Sequence, residues 1–159
     1  MPLNPEISRF IREHLDDNPD QLLWKKNEYP DDRVVVAVEQ IQARENIKEK
    51  LPSWYACQNI FYPSKLSTEQ CSSETTAPYK ARLTTGNSLC DLTGGLGVDT
   101  YFFSRQVDKV TYVERDKSYC EAARFNFLAL GATNIEVIHA DATTVANQVI
   151  ADTYYIDPA

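Results

Sequence analysis

Between Ser88 and Pro158, four short β-type runs alternate with helical runs, and each β-run ends on or beside an acid. Ser88 to Leu92 (SLCDL) reads as a strand ending at Asp91, and KVTYVE as a second ending at Glu114. IEVIHA is a third, with Asp141 next, and TYYID a fourth, ending in Asp157-Pro158. One helix runs through Tyr101, Phe102 and Phe103. A second starts at an Asp116 cap, carries Tyr119, Cys120, Ala123, Phe127 and Leu130 on one face, and stops at Gly131. A short third covers about 143–150. Strands separated by helices predict a parallel sheet covered on both faces, an α/β Rossmann-like fold. The sheet is expected to be truncated after strand four, because such folds rarely stop on a strand that looks buried. The chain is therefore expected to be a fragment of a longer one.

Upstream, an α-helical N-terminal region is expected over 1–66, followed by a partial nucleotide-type domain over 67–159. Ile7, Phe10, Ile11 and Leu15 lie at helical spacing behind Pro5-Glu6. Asn18-Pro19-Asp20 starts a short second helix through Leu22, Leu23 and Trp24, and EYPDDR is a turn. Val34 to Leu51 reads as helix despite its VVVAV start, with Pro52 ending it. Ser67 is a candidate cap for a helix reaching about Leu83, interrupted near Pro78.

Composition narrows the setting. Hydrophobic residues make up 43% and charged residues 25% of 159 residues. No apolar run approaches the ~20 residues of a membrane span, and the N-terminus lacks a signal-type core, so a cytoplasmic protein without membrane contact is expected. Cys57, Cys71, Cys90 and Cys120 form no C-x-x-C pair and read as reduced thiols; no metal site is expected. Most of the net charge of −7 falls after residue 90, so this segment alone is a poor partner for phosphate backbones.

The strongest chemical signal is Asp91-Leu92-Thr93-Gly94-Gly95-Leu96-Gly97, where the first strand turns into a helix. Glycines allow a sharp bend and a close ligand approach. In a dinucleotide fingerprint a third glycine would follow Gly97 after two residues, but position 100 is threonine. Asp91 would repel a pyrophosphate and favour an ammonium. A cationic, phosphate-free adenosine ligand, S-adenosylmethionine, fits better than NAD. Glu114, 17 residues past Gly97, can accept both ribose hydroxyls. Asp141 can accept from the adenine amine, and Ala142 leaves room for the ring.

The ordered set DLTGGLG, YVERD, HADA and YYIDPA resembles motifs I to IV of class I S-adenosylmethionine-dependent methyltransferases. EQCSSETTAPYKARL resembles the helix that borders the methionine end of the cofactor in many of them. The whole chain is similar to the N-terminal part of the THUMP-like-domain-containing methyltransferases. The resemblance implies cofactor contacts from Asp91, Thr93, Gly95, Gly97, Glu114, Asp141 and Ala142, and a catalytic pair Asp157 and Pro158. It implies an RNA substrate engaged through regions absent here, and a fragment inactive by itself. Position 159 is alanine, which departs from the D-P-P-Y-like motif IV and leaves the methylated atom open.

Two other readings stand beside it: an NAD(P)-binding oxidoreductase, and a non-catalytic interaction module that keeps the fold. Several residues have plain structural readings. Tyr101-Phe102-Phe103 reads as core and His139 as structural. Tyr154 and Tyr155 fall on opposite faces of a strand, and Arg44, Lys48 and Lys50 read as a solvated helix face. Strand four is expected beside strand one with a free apolar edge, so self-association of the fragment through 152–157 is expected.

Overall fold

The computed structural model describes residues 4–29 and 32–158. Pro30 and Asp31 of the expected EYPDDR turn, and Ala159 of motif IV, lie outside the described residues. The sheet is β1 (Ser88–Asp91), β2 (Lys109–Glu114), β3 (Ile135–His139) and β4 (Thr153–Tyr155), in the order β3-β2-β1-β4 with every pairing parallel. Asp91 stands opposite both Tyr112 and Tyr155, and Glu114 opposite His139. The register therefore brings all four strand ends to one edge, where an open parallel sheet offers its binding crevice.

Connecting helices cover both faces: α7 (Val98–Phe103), α8 (Lys117–Ala129) and α9 (Ala142–Val145). Asp116 caps α8 by accepting from Ser118 N–H (2.7 Å) and Tyr119 N–H (3.4 Å), and Gly131 follows its end with φ 73°. One sheet face carries Leu89, Val110 and Tyr112, packed on Phe103, Cys120 and Phe127; the other carries Cys90 and Val113 beneath α9. Each large side chain fully buried here contributes about 1.5–3 kcal/mol. The fold class read from the alternation is the one observed.

Upstream lie α1 (Pro5–Glu13), α2 (Pro19–Trp24), a 3-10 turn at Lys26–Glu28, α3 (Arg33–Ile47), α4 (Pro52–Ala56), α5 (Lys65–Gln70) and α6 (Thr76–Ala81). The N-terminal half of α3 buries Val34, Val38 and Ile41 against Phe10, Ile11 and Leu22. Its C-terminal half sends Ala43 and Ile47 into the core shared with Tyr112 and Phe127. The stretch from Asn59 to Ser64 is irregular and is pinned by two amides. Gln40 exchanges hydrogen bonds with the Tyr62 backbone (2.8 and 2.9 Å), and Asn126 does so with that of Phe61.

Several local expectations need correction. Pro52 does not end α3, which stops at Ile47; it opens α4, where a residue without N–H loses nothing. Ser64, not Ser67, caps α5 by accepting from Ser67 N–H at 3.0 Å. The helix expected to run to Leu83 with an interruption near Pro78 is indeed two helices, but the break falls at 71–75, and Pro78 sits inside the first turn of α6. α9 covers only the first third of its expected span. Arg44 is not solvated: it is 9% exposed, donates to the Tyr55 carbonyl at 3.0 Å and lies over the Tyr55 ring.

Candidate functional site

The turn between β1 and α7 is built around Asp91, which is 1% exposed. Its Oδ1 accepts from Thr93 N–H at 3.0 Å, and its Oδ2 from the Thr100 hydroxyl at 2.6 Å. Burial pushes its carboxyl up to about 6, against the pull of the Thr100 and Thr93 hydrogen bonds. Gly95 (φ 54°) and Gly97 (φ 89°) occupy the left-handed region that favours glycine. A Cβ on Gly97 would lie 2.7 Å from Phe127 Cζ, whereas one on Gly95 would meet nothing nearer than the Thr93 carbonyl at 3.8 Å. The turn is packed on its sheet side and open above Gly95.

The second strand end closes on that turn. Glu114 Oε2 accepts from Gly95 N–H at 3.1 Å, and its Oε1 from Asp116 N–H at 2.8 Å. Tyr112 donates its hydroxyl to the Gly95 carbonyl at 2.6 Å. At the third strand end Asp141 caps α9, accepting from Thr143 N–H (2.8 Å) and the Thr143 hydroxyl (2.6 Å). These bonds hold its carboxyl below the usual range. Ala142 is the first residue of α9.

At the fourth strand end, Asp157 N–H donates to the Thr93 hydroxyl at 2.8 Å. The Asp157 carboxylate accepts from Lys80 Nζ at 3.0 Å, and Tyr155 OH lies 3.0 Å from the same oxygen. Lys80, first and most strongly, and then Tyr155 hold the Asp157 carboxyl below its ordinary value. Lys80 also donates to Tyr155 OH (2.6 Å), Ser72 Oγ (3.0 Å) and Asp99 Oδ2 (3.2 Å). Burial works against the Lys80 charge, but Tyr155, Asp157 and Asp99 outweigh it and raise its pKa.

One cavity of about 640 Å³ joins these parts, and Asp91, Thr93, Gly95, Gly97, Glu114, Asp141, Ala142, Asp157 and Pro158 all line it. That volume is ordinary for a small-molecule site. Its lining includes six carboxylates, from Asp91, Asp99, Glu114, Asp116, Asp141 and Asp157, and one guanidinium, from Arg115. The sequence reading missed Lys80, Asp99, Ser72 and Tyr155. A signal was present in EQCSSETTAPYKARL, which contains Ser72 and Lys80 and was placed beside the cofactor only as a segment. Among the described residues no cluster suited to a metal ion occurs.

Apart from Arg44 and Tyr155, the structural readings agree with the geometry. Tyr101 and Phe103 are buried in the core. His139 Nε2 lies 3.0 Å from the Arg115 carbonyl, outside the cavity lining. Tyr154 is exposed and Tyr155 half-buried. All four cysteines are free. No helix among the described residues is long and apolar enough to cross a membrane.

A family model described as protein-L-isoaspartate(D-aspartate) O-methyltransferase matches residues 18–149. The crystal structure of a proposed methyltransferase from Porphyromonas gingivalis W83 is similar at 29% identity and a TM-score of 0.78, over 89% of this chain and 36% of that one. The chain thus spans about a third of that protein's length. A proposed O-methyltransferase from Klebsiella pneumoniae shares the fold at 14% identity and a TM-score of 0.52, over 85% of this chain and 57% of its own. A search of curated proteins found no match.

Proposed function

Since the chain belongs to the protein-L-isoaspartate(D-aspartate) O-methyltransferase family and its cofactor is S-adenosylmethionine, we propose that it forms the cofactor half of an enzyme that methylates RNA. The observation that carries this reading is the convergence of four strand ends, with an acid at each, on one cavity over the Gly95 turn. The residues fit the cofactor. The space above Gly95 is open, and the six carboxylates of the lining outnumber its one guanidinium, which suits a cationic ligand better than a phosphate. The oxidoreductase alternative draws no support from the family or from these neighbours.

When bound, S-adenosylmethionine supplies a methyl group already activated by its sulfonium. The protein's own part is to hold and orient. Gly95 and Gly97 keep the floor free of side chains. Glu114 keeps lone pairs beyond those used by the two N–H groups, enough to take ribose hydroxyls. Asp141 accepts from the adenine amine, and Ala142 leaves the ring its space. Asp157, kept ionised by Lys80 and tied through its backbone to Thr93, accepts a hydrogen bond from the group to be methylated, beside Pro158.

The acceptor class follows from charge. An isoaspartyl carboxylate would enter a cavity already lined by six carboxylates, and like charges at such range repel. A neutral nitrogen or carbon of a base meets no such penalty. The motif order and the Asp157-Pro158 pair also support a base. Phosphate contacts are assigned to a THUMP-like appendage in a longer chain, because this segment is acidic. A cytoplasmic setting suits four unpaired thiols.

The test is to incubate the full-length protein and tritiated S-adenosylmethionine with total RNA or with an isoaspartyl peptide. Label in RNA, lost in Asp157→Asn, supports the reading. Label in the peptide alone overturns the RNA assignment.

A further inference from the structure

The loop that carries Asp157 fixes its backbone and leaves its side chain to others. The N–H is tied to the Thr93 hydroxyl, whereas the side chain is 60% exposed where it lines the cavity. A carboxylate so placed would ordinarily sample several rotamers. Here one of its oxygens is clamped from upstream. Lys80 Nζ, carried by α6, lies 3.0 Å from Asp157 Oδ2, and the same ammonium reaches Tyr155 OH (2.6 Å), Ser72 Oγ (3.0 Å) and Asp99 Oδ2 (3.2 Å). Four oxygens surround a group with three N–H donors, so the cation has little freedom left to lose. An ordinary surface ion pair must instead immobilise two long side chains at once. Because Tyr155 accepts from Lys80, its own proton points toward the carboxylates, with Asp157 Oδ2 at 3.0 Å and Asp99 Oδ2 at 3.1 Å. Both clamps therefore act on Oδ2 of Asp157, and no hydrogen bond among the described residues reaches its Oδ1. Lys80 itself stands outside the cavity lining.

We infer that Lys80 is a positioning residue for methyl transfer: with Tyr155 it fixes Oδ2 of Asp157 and leaves Oδ1 to the acceptor, without touching the acceptor itself. This rests on the reading of Asp157 given above. The upstream helical segment thereby takes part in the reaction, since α6 and Ser72 before it carry a clamp that the fourth strand end lacks. The charged and titratable groups around Asp157 are Lys80 from α6, Tyr155 from β4 and Asp99 from α7, and Lys80 brings the positive charge among them. Without it Asp157 sits near Asp99 alone, and its carboxyl takes up a proton at higher pH. A protonated carboxyl offers an O–H where the acceptor needs a lone pair. Transfer that depends on the carboxylate then fails earlier as pH falls.

Single-turnover transfer from tritiated S-adenosylmethionine to total RNA, measured across pH with the full-length protein, tests this. Lys80→Met keeps an unbranched side chain and removes its charge, while Tyr155→Phe removes only a hydroxyl. Lys80→Met should slow transfer roughly ten- to a hundredfold, the scale of a lost orientation. It should also move the acid limb of the rate profile to higher pH and leave S-adenosylhomocysteine affinity unchanged. Tyr155→Phe should slow transfer by a smaller factor and spare the same affinity. A Lys80→Met protein that is slow but keeps the wild-type acid limb is merely less stable, and overturns the role. So does one that transfers at the wild-type rate. If Lys80→Met does not fold, Tyr155→Phe decides: a wild-type rate overturns the clamp, and a slower one supports it. Should the isoaspartyl peptide alone take label, the same comparison is read on the peptide, so loss of the RNA assignment leaves the Lys80 result standing. Wild-type protein that labels neither overturns the transfer reading, and the positioning role falls with it.

Discussion

Asn126 grips the Phe61 backbone from both sides: its Oδ1 accepts from Phe61 N–H at 2.8 Å, and its Nδ2 donates to the Phe61 carbonyl at 2.8 Å. The side chain is fully buried on α8 and does for an irregular segment what a neighbouring strand would do. Asn126→Ala leaves both backbone groups without partners. It should cost about 2–4 kcal/mol, seen as a lower urea midpoint at constant slope.

The two positive-φ glycines of the turn should respond differently. Gly97→Ala places a methyl against Phe127 on top of backbone strain, and should destabilise the chain by about 3 kcal/mol or more. Gly95→Ala meets only the strain, about 1–2 kcal/mol, but puts its methyl into the open space above the turn. Thermal melts should rank Gly97→Ala as the worse folder. Titration with S-adenosylhomocysteine should show Gly95→Ala weakened while still folded.

Asp91 gives a pH dependence of definite sign. Its carboxyl rises from 3.8 to about 6 on folding. The folded chain therefore holds a proton that the unfolded chain lacks between those values, and stability from this group is lost as pH rises through 6. Asp91→Asn lacks the effect. Between pH 7 and pH 4 the wild type should gain about 3 kcal/mol relative to Asp91→Asn, measured by denaturant unfolding at each pH. A gap that stays constant would contradict the burial argument.

Lys80→Met removes the shared cation from Asp99, Tyr155 and Asp157, and should cost about 1–3 kcal/mol near neutral pH. The Asp157 carboxyl lies below its ordinary value when folded, so its contribution is present above 3.8 and lost as pH falls further. The gap between wild type and Lys80→Met should narrow in acid.

β4 pairs only with β1 among the described residues, and Tyr154 and Ile156 beside that edge are exposed. Self-association of this chain along 152–157 is the expected outcome at high concentration. Light scattering should show it, and Ile156→Lys should reverse it.

What could be read from sequence, and what could not, follows from range. The β-runs, their terminal acids, the Asp116 cap and the Gly131 stop depend on neighbours a few residues away. Such signals survive without a structure. The proline at 52 was misread because the same residue serves a helix start as well as a stop. Arg44 was misread because its charge masked a stacking partner, Tyr55, supplied by the next helix. Lys80 was invisible for a stronger reason. Its partners come from the α5–α6 break, α7, β4 and the residues after β4, and two of them lie 75 and 77 positions away. No spacing rule spans that distance.

The Thr93 hydroxyl that receives Asp157 N–H joins the floor of the cofactor cavity to the loop that would meet the acceptor. Two stretches 64 residues apart are thereby mechanically yoked. An occupant that resettles the glycine turn must also resettle the aspartate, and an acceptor that draws on the aspartate tugs the turn. By thermodynamic reciprocity, each ligand then alters the affinity for the other by the same factor.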